Sequence, residues 1–255
     1  MKKYFKFHFF FYIVSFILLL SGHFKPYIMI MGITLFHELG HIIMGKIFKW
    51  EILKIVILPF GCITYFKIDL NVKLKEEFLV TIMGPIFQMI GATIYYYFTK
   101  DDIFLFYNNI LLLLNLIPII PLDGSKIMQV LLFKLMSYKK TLSVSLNISL
   151  MLLILTFIYQ IYQFNFLLLI WSILLLIENI KEKNIQPLKF YLFLKERYEN
   201  DYNFPYRYLN TINVTKIKRD YKTIFKNKYT EKEIINEYLS NKKGGYLFDN
   251  RAIVW

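Results

Sequence analysis

Long apolar runs separated by short lysine clusters dominate the chain. Residues 9–20, 27–48, 78–98, 103–121, 142–162 and 166–180 each approach or reach the roughly 20 residues that carry a helix across a bilayer. The pattern predicts an all-α polytopic membrane protein of about six transmembrane helices. Residues 51–67 break it: two short β-prone runs flank Pro59-Phe60-Gly61, which reads as a re-entrant or interfacial β-hairpin. Backbone of that kind sits at membrane depth only where it lines a cavity or packs on protein.

Beyond Lys181 the pattern turns charged and aromatic. Two domains are expected, 1–180 in the membrane and 181–255 as a small cytoplasmic α+β module. Residues 184–187 read as the linker and 188–198 as an amphipathic helix near the membrane. Thr230-Glu231-Lys232-Glu233 has the form of a capping box. It opens a helix expected to bury Ile234, Ile235, Tyr238 and Leu239 and to end at Gly244-Gly245. Residues 246–255 suit a small strand or hairpin.

Composition agrees with the pattern. Of 255 residues 56% are hydrophobic, and the mean hydropathy is +0.43. Such a chain has too little polar surface to face water all round. The N-terminus begins like a signal peptide but lacks a small-x-small cleavage site before Ser21-Gly22-His23, so it is kept as the first span. Lysines set the orientation. Lys46, Lys49, Lys54, Lys67, Lys73 and Lys75 follow the second run, and Lys126, Lys134, Lys139 and Lys140 follow the fourth. The positive-inside rule then puts both termini in the cytoplasm. The net charge is +13 and Cys62 is the single cysteine. An intramolecular disulfide and a cysteine-based zinc site are excluded.

Candidate chemistry sits in the second run, at His37-Glu38-Leu39-Gly40-His41. On a helix the two histidines are one turn apart on one face, so both imidazoles reach one ion, and Glu38 follows at the next angular position. Ionisable groups at bilayer depth are costly, which favours function over a buried structural cluster. Catalytic zinc takes three protein ligands and an open water position. The third candidate is Asp123, in Asn115-Leu116-Ile117-Pro118-Ile119-Ile120-Pro121-Leu122-Asp123-Gly124, where two prolines break the helix. Its alternative reading is an Asp-Gly turn that ends the span. Asn115 is a candidate to orient a peptide or donate to an oxyanion, against an interhelical hydrogen bond. Ile55 and Ile57 are candidate substrate-binding residues, on the expectation that the hairpin edge pairs with an extended substrate. An interfacial hairpin resting on headgroups is the alternative. His8 and His23 read as interface residues.

The two motifs together resemble the site-2 protease family of intramembrane zinc metalloproteases over roughly residues 1–180. Six spans without room for a PDZ insertion are closest to its sporulation branch, the stage IV sporulation protein FB type. The resemblance implies Zn2+ held by His37, His41 and Asp123, and Glu38 as catalytic base. It also implies a membrane-associated protein substrate, in that branch a sigma-factor precursor, and inhibitory membrane protein partners in a bacterial cell membrane. Two positions depart from the family pattern. Ser125 stands where a second glycine is usual, and Gln88 stands where asparagine is expected; neither is expected to touch a ligand.

Rival readings are a metal transporter, which would not need a glutamate beside the first histidine, and a non-catalytic membrane scaffold, which would have lost one of these residues. The basic tail residues Lys216, Lys218, Arg219, Lys222, Lys226 and Lys228 could attract anionic lipid or an acidic substrate, or simply be solvated. Without a recognition motif, nucleic acid is not an expected partner. The sequence leaves oligomeric state open.

Overall fold

A computed structural model of the chain describes residues 5–7, 9–22, 24–58, 61–226 and 229–242. His8, His23, the Pro59-Phe60 turn, Lys228, the Gly244-Gly245 stop and the terminal segment 246–255 lie outside the described residues. Contacts divide the described residues into two compact units, those up to 68 with 78–116, and 69–77 with those from 117 onward.

The first unit contains β1 (Phe5–Phe7), α1 (Phe9–Leu20), α2 (Phe24–Ile47), β2 (Glu51–Leu58), β3 (Gly61–Lys67), most of α3 (Leu74–Thr99) and α4 (Asp102–Leu116). Helix α4 is opened by Asp101, whose carboxylate accepts from the Phe104 amide at 3.1 Å, satisfying one of the amides a helix start leaves over. The expected hairpin forms. β2 and β3 pair antiparallel, with Ile55 opposite Thr64 and Ile57 opposite Cys62. β1 adds in parallel, with Phe5 opposite Ile55 and Phe7 opposite Ile57. β2 is therefore the central strand, and the expectation that Ile55 and Ile57 offer an open edge is corrected: both have a strand on either side. The edge strand is β3, against which no further strand pairs among the described residues.

Helices α2 and α3 approach through glycine. A Cβ on Gly40 would strike the Met83 carbonyl, and one on Gly84 would strike the rings of His41 and His37. Small residues at such crossings let two backbones come close.

The second unit contains α5 (Asp123–Leu135), α6 (Tyr138–Tyr162), α7 (Phe166–Glu199), β4 (Tyr206–Leu209), β5 (Lys222–Phe225) and α8 (Glu231–Lys242). The capping box is present: the Thr230 amide donates to Glu233 at 2.8 Å, and the Glu233 amide lies 3.4 Å from the Thr230 hydroxyl. Ile234, Ile235 and Leu239 are buried as expected, while Tyr238 is partly so.

Three sequence expectations change here. The linker at 184–187 is helical, because α7 runs unbroken through it with Pro187 inside. Asp123 does not end a span but opens a new helix, α5. Arg219 is no solvated cation: it is buried and paired with Glu77 at 2.5 Å, and its guanidinium donates to the Val72 carbonyl at 2.7 Å.

Helices α2, α3 and α6 are long and apolar enough to cross a membrane, and α4 is a shorter apolar helix. With their many exposed leucines, isoleucines and phenylalanines, these helices describe a membrane protein.

Candidate metal centre

Helical periodicity places His37 and His41 on one face of α2, and both are buried, as is Glu38. Each imidazole is anchored through its inner nitrogen. His37 Nδ1 lies 2.8 Å from the Gln88 side-chain oxygen, and His41 Nδ1 lies 2.8 Å from the Val80 carbonyl. Both partners on α3 are acceptors, so both Nδ1 atoms carry the proton, and in a neutral imidazole the lone pair is then left on Nε2. The two Nε2 atoms face each other at 3.1 Å.

Two lone pairs at that distance repel unless a cation lies between them. Two Zn–N bonds of about 2.05 Å at a tetrahedral angle would set the nitrogens about 3.3 Å apart, close to what is found. The missing side chain of Gly84 leaves the space in front of the rings open. His37 and His41 in the first unit and Asp123 in the second are all buried, and each offers one ligand atom. This is the donor set of two imidazoles and one carboxylate that suits zinc.

Gln88 was expected to touch no ligand; the structure corrects this. Its amide group is turned by Asn108, whose main-chain carbonyl accepts from Gln88 Nε2 at 3.0 Å and whose side-chain oxygen lies at 3.2 Å. The Gln88 oxygen is thereby directed at His37. Gln88 and Asn108 are 2% and 3% exposed, so this chain of bonds is shielded from competing water. Ser125 points elsewhere, its hydroxyl donating to the Leu122 carbonyl at 2.7 Å.

Glu38 is held from the hairpin. The Thr64 amide on β3 donates to Glu38 Oε1 at 2.6 Å. Oε2 accepts no hydrogen bond among the described residues, so it is the oxygen available to take a proton.

The segment that carries Asp123 leaves helical geometry after Leu116, and its backbone finds partners on two neighbouring helices. The Ile120 amide donates to the Ser149 hydroxyl at 2.9 Å, and the Ile120 carbonyl accepts from Asn179 Nδ2 at 2.9 Å. Ser149 in turn donates to Asn179 Oδ1 at 2.6 Å. Ile119 packs between Leu153 and Leu175. Interrupted backbone in an apolar layer is tolerated only with such replacement partners. Asp123 itself starts α5, where the positive end of the helix favours a carboxylate, and Lys126 lies 4.0 Å from it.

Asn115 is half-buried on the last turn of α4, without a side-chain hydrogen bond among the described residues. Gln88, Asn108, Ser149 and Asn179 were not singled out as site residues from sequence. The available signal was the rarity of amides within apolar runs.

No protein-family model matches the chain. Stage IV sporulation protein FB of Bacillus subtilis is 35% identical over 151 residues, which is 56% of this chain and 52% of the relative. A zinc metalloprotease of Methanocaldococcus jannaschii is 26% identical over 158 residues, 58% of this chain and 46% of that protein. The chain thus spans about half the length of the curated relatives it matches. Among solved structures, a site-2 protease from Methanocaldococcus jannaschii superposes with a TM-score of 0.56 at 22% identity, covering 70% of this chain and 89% of that one. At that identity the likeness is one of fold.

Proposed function

We propose that the chain is a site-2 protease of the stage IV sporulation protein FB kind, an intramembrane zinc endopeptidase, on the strength of its similarity to the two curated relatives. One observation carries this reading: two imidazole Nε2 atoms 3.1 Å apart, beside a glutamate on the same helix. In this proposal His37, His41 and Asp123 hold the metal and Glu38 is the base. Zinc bound there would supply Lewis acidity, polarising the scissile carbonyl and lowering the pKa of a water to about 7.

Glu38 Oε2 would take a proton from the attacking water and return it to the leaving amine. The Thr64 amide fixes the carboxylate through Oε1 and so points Oε2 at its task. Asn115 is assigned to orient the peptide or donate to the developing oxyanion. Hydrolysis needs an unwound substrate, and the outer edge of β3 suits an added strand; that edge borders the base, since Thr64 lies on it.

The substrate is proposed to be a membrane-associated protein, in line with the named sporulation relative a sigma-factor precursor, restrained by inhibitory membrane partners. Six spans, with α1, α4 and the apolar half of α7 added to α2, α3 and α6, and both termini in the cytoplasm complete the reading. So does a division at 180/181 between membrane and cytoplasmic parts.

The test pairs zinc stoichiometry with cleavage of co-expressed membrane-bound precursors. Wild type should carry one zinc and shorten its substrate. His37→Ala should lose both properties, and Glu38→Gln should keep the metal and lose cleavage. Transport of zinc without hydrolysis would favour a transporter; metal-free protein would leave a scaffold.

A further inference from the structure

Outside the metal centre, one cavity of about 250 Å³ is bounded by Lys139 and Ser143 of α6, Lys183, Pro187 and Phe190 of α7, and Tyr238 of α8. Two ammonium groups border it, and the nearby acids are engaged elsewhere. Glu178 pairs with Lys181 at 2.5 Å, and Glu182 with Lys189 at 2.8 Å. Among the described residues neither Lys139 nor Lys183 has a carboxylate within ion-pair reach. The Lys139 ammonium instead lies 5.7 Å over the Phe190 ring. Like charges that border one cavity without a counter-ion repel each other, and a bound anion relieves that repulsion.

The cavity offers more than charge. Pro187 has no N–H, so the Lys183 carbonyl loses its helical donor and is left to accept from elsewhere. Ser143 contributes a hydroxyl, and Gln186 ties the helices together at the rim by donating to the Leu142 carbonyl at 2.8 Å. A volume of this size is below the roughly 300–1,000 Å³ that encloses drug-sized ligands, but it suits a small headgroup whose remainder lies outside.

What lies outside is apolar. Continuing along α6 from Lys139 and Ser143 at helical spacing, Met151, Ile154 and Ile158 are exposed, and along α7 from Lys183 so are Ile180, Ile177 and Ile173. Helix α6 is long and apolar enough to span a bilayer from Tyr138 onward. The cavity therefore sits where the apolar surface gives way to charge. A soluble phosphate would leave that apolar track unused; a two-part amphiphile would use both.

We propose that this cavity binds the headgroup of an anionic phospholipid of the phosphatidylglycerol kind. Its phosphate lies between Lys139 and Lys183 with Ser143 donating, its glycerol hydroxyl donates to the Lys183 carbonyl, and its acyl chains lie along the exposed isoleucines. The site is independent of the protease reading.

The full chain in detergent micelles is titrated with a fluorescent short-chain phosphatidylglycerol. A lysine beside the headgroup is worth about 1 kcal/mol toward anionic lipid, so removing both in Lys139→Gln/Lys183→Gln should weaken binding about thirty-fold. The charge-matched Lys140→Gln/Lys216→Gln should stay within about two-fold of wild type, since neither lysine lines the cavity and exposed charges away from the bound headgroup are screened. Circular dichroism checks that both variants keep their helices. Equal weakening in the two double variants, equal binding of phosphatidylcholine, or full displacement by glycerol 3-phosphate would each overturn the proposal.

Discussion

Gln88 and His37, fifty-one positions apart, are joined by a buried contact of 2.8 Å between the amide oxygen and Nδ1. Because Asn108 fixes the amide, the contact settles which ring nitrogen of His37 carries the proton and so which one faces a metal. Removing such an outer partner commonly costs 10–100-fold in metal affinity. Gln88→Met, similar in shape but without the acceptor, should weaken zinc binding by about that factor, read by competition with a chromophoric chelator. Gln88→Glu restores an acceptor and should recover most of the loss. Unchanged affinity in the methionine variant would remove Gln88 from this role.

Gly84 makes a harsher test of the same centre. A methyl group there meets both imidazoles, whose rings are held by their Nδ1 bonds to Gln88 and Val80. Gly84→Ala should lose stoichiometric zinc while the protein still inserts in membranes, as measured by metal analysis of the membrane-extracted protein.

Asn179 braces the segment that carries Asp123. Asn179→Leu leaves the Ile120 carbonyl without its side-chain donor and the Ser149 hydroxyl without its acceptor, each a loss of about 1–3 kcal/mol. Thermal unfolding in detergent should fall accordingly, and zinc affinity should fall with it as Asp123 loses its fixed position. A drop in stability with zinc binding unaltered would separate the brace from the metal centre.

Glu196, on the polar half of α7, gives a pH signature. Its carboxylate accepts from the Leu70 amide and from Asn71, yet burial outweighs these bonds and pushes its pKa up from 4.5 to about 7. The folded state therefore holds a proton that the unfolded chain releases at lower pH. The stabilisation is complete below about pH 4.5 and is lost as pH rises through about 7. Glu196→Gln, which keeps the acceptor and cannot ionise, should flatten this decline. It should melt on the order of a few degrees higher than wild type above pH 7, by differential scanning fluorimetry across pH 4–8.

Local order along the chain was sufficient for much of the fold and for the centre's chemistry. Apolar run length announced the long helices, the Pro-Phe-Gly break announced the hairpin, and Thr230 with Glu233 announced the start of α8. The one-turn spacing of His37 and His41 put two imidazoles on one face because helical periodicity is a property of the backbone alone. Asp123 stood out because two imidazoles leave a catalytic zinc one ligand short and two prolines break the helix beside it, with an Asp-Gly turn as the alternative.

Tertiary packing decided what spacing cannot express. Pro187 signalled a linker, but one lost backbone bond is a small defect when Phe190 and Phe193 are buried on the next turns and Gln186 bonds across to α6, so the helix continues. Ile55 and Ile57 looked like an open edge until a strand from the N-terminus paired beside them. The orientation of His37 by Gln88, of Glu38 by Thr64 and of the Asp123 segment by Ser149 and Asn179 joins residues 26 to 59 positions apart. A one-dimensional pattern fixes which side chains share a face of their own helix; which partner another helix brings to that face depends on how the helices pack, and that is set by the whole chain at once.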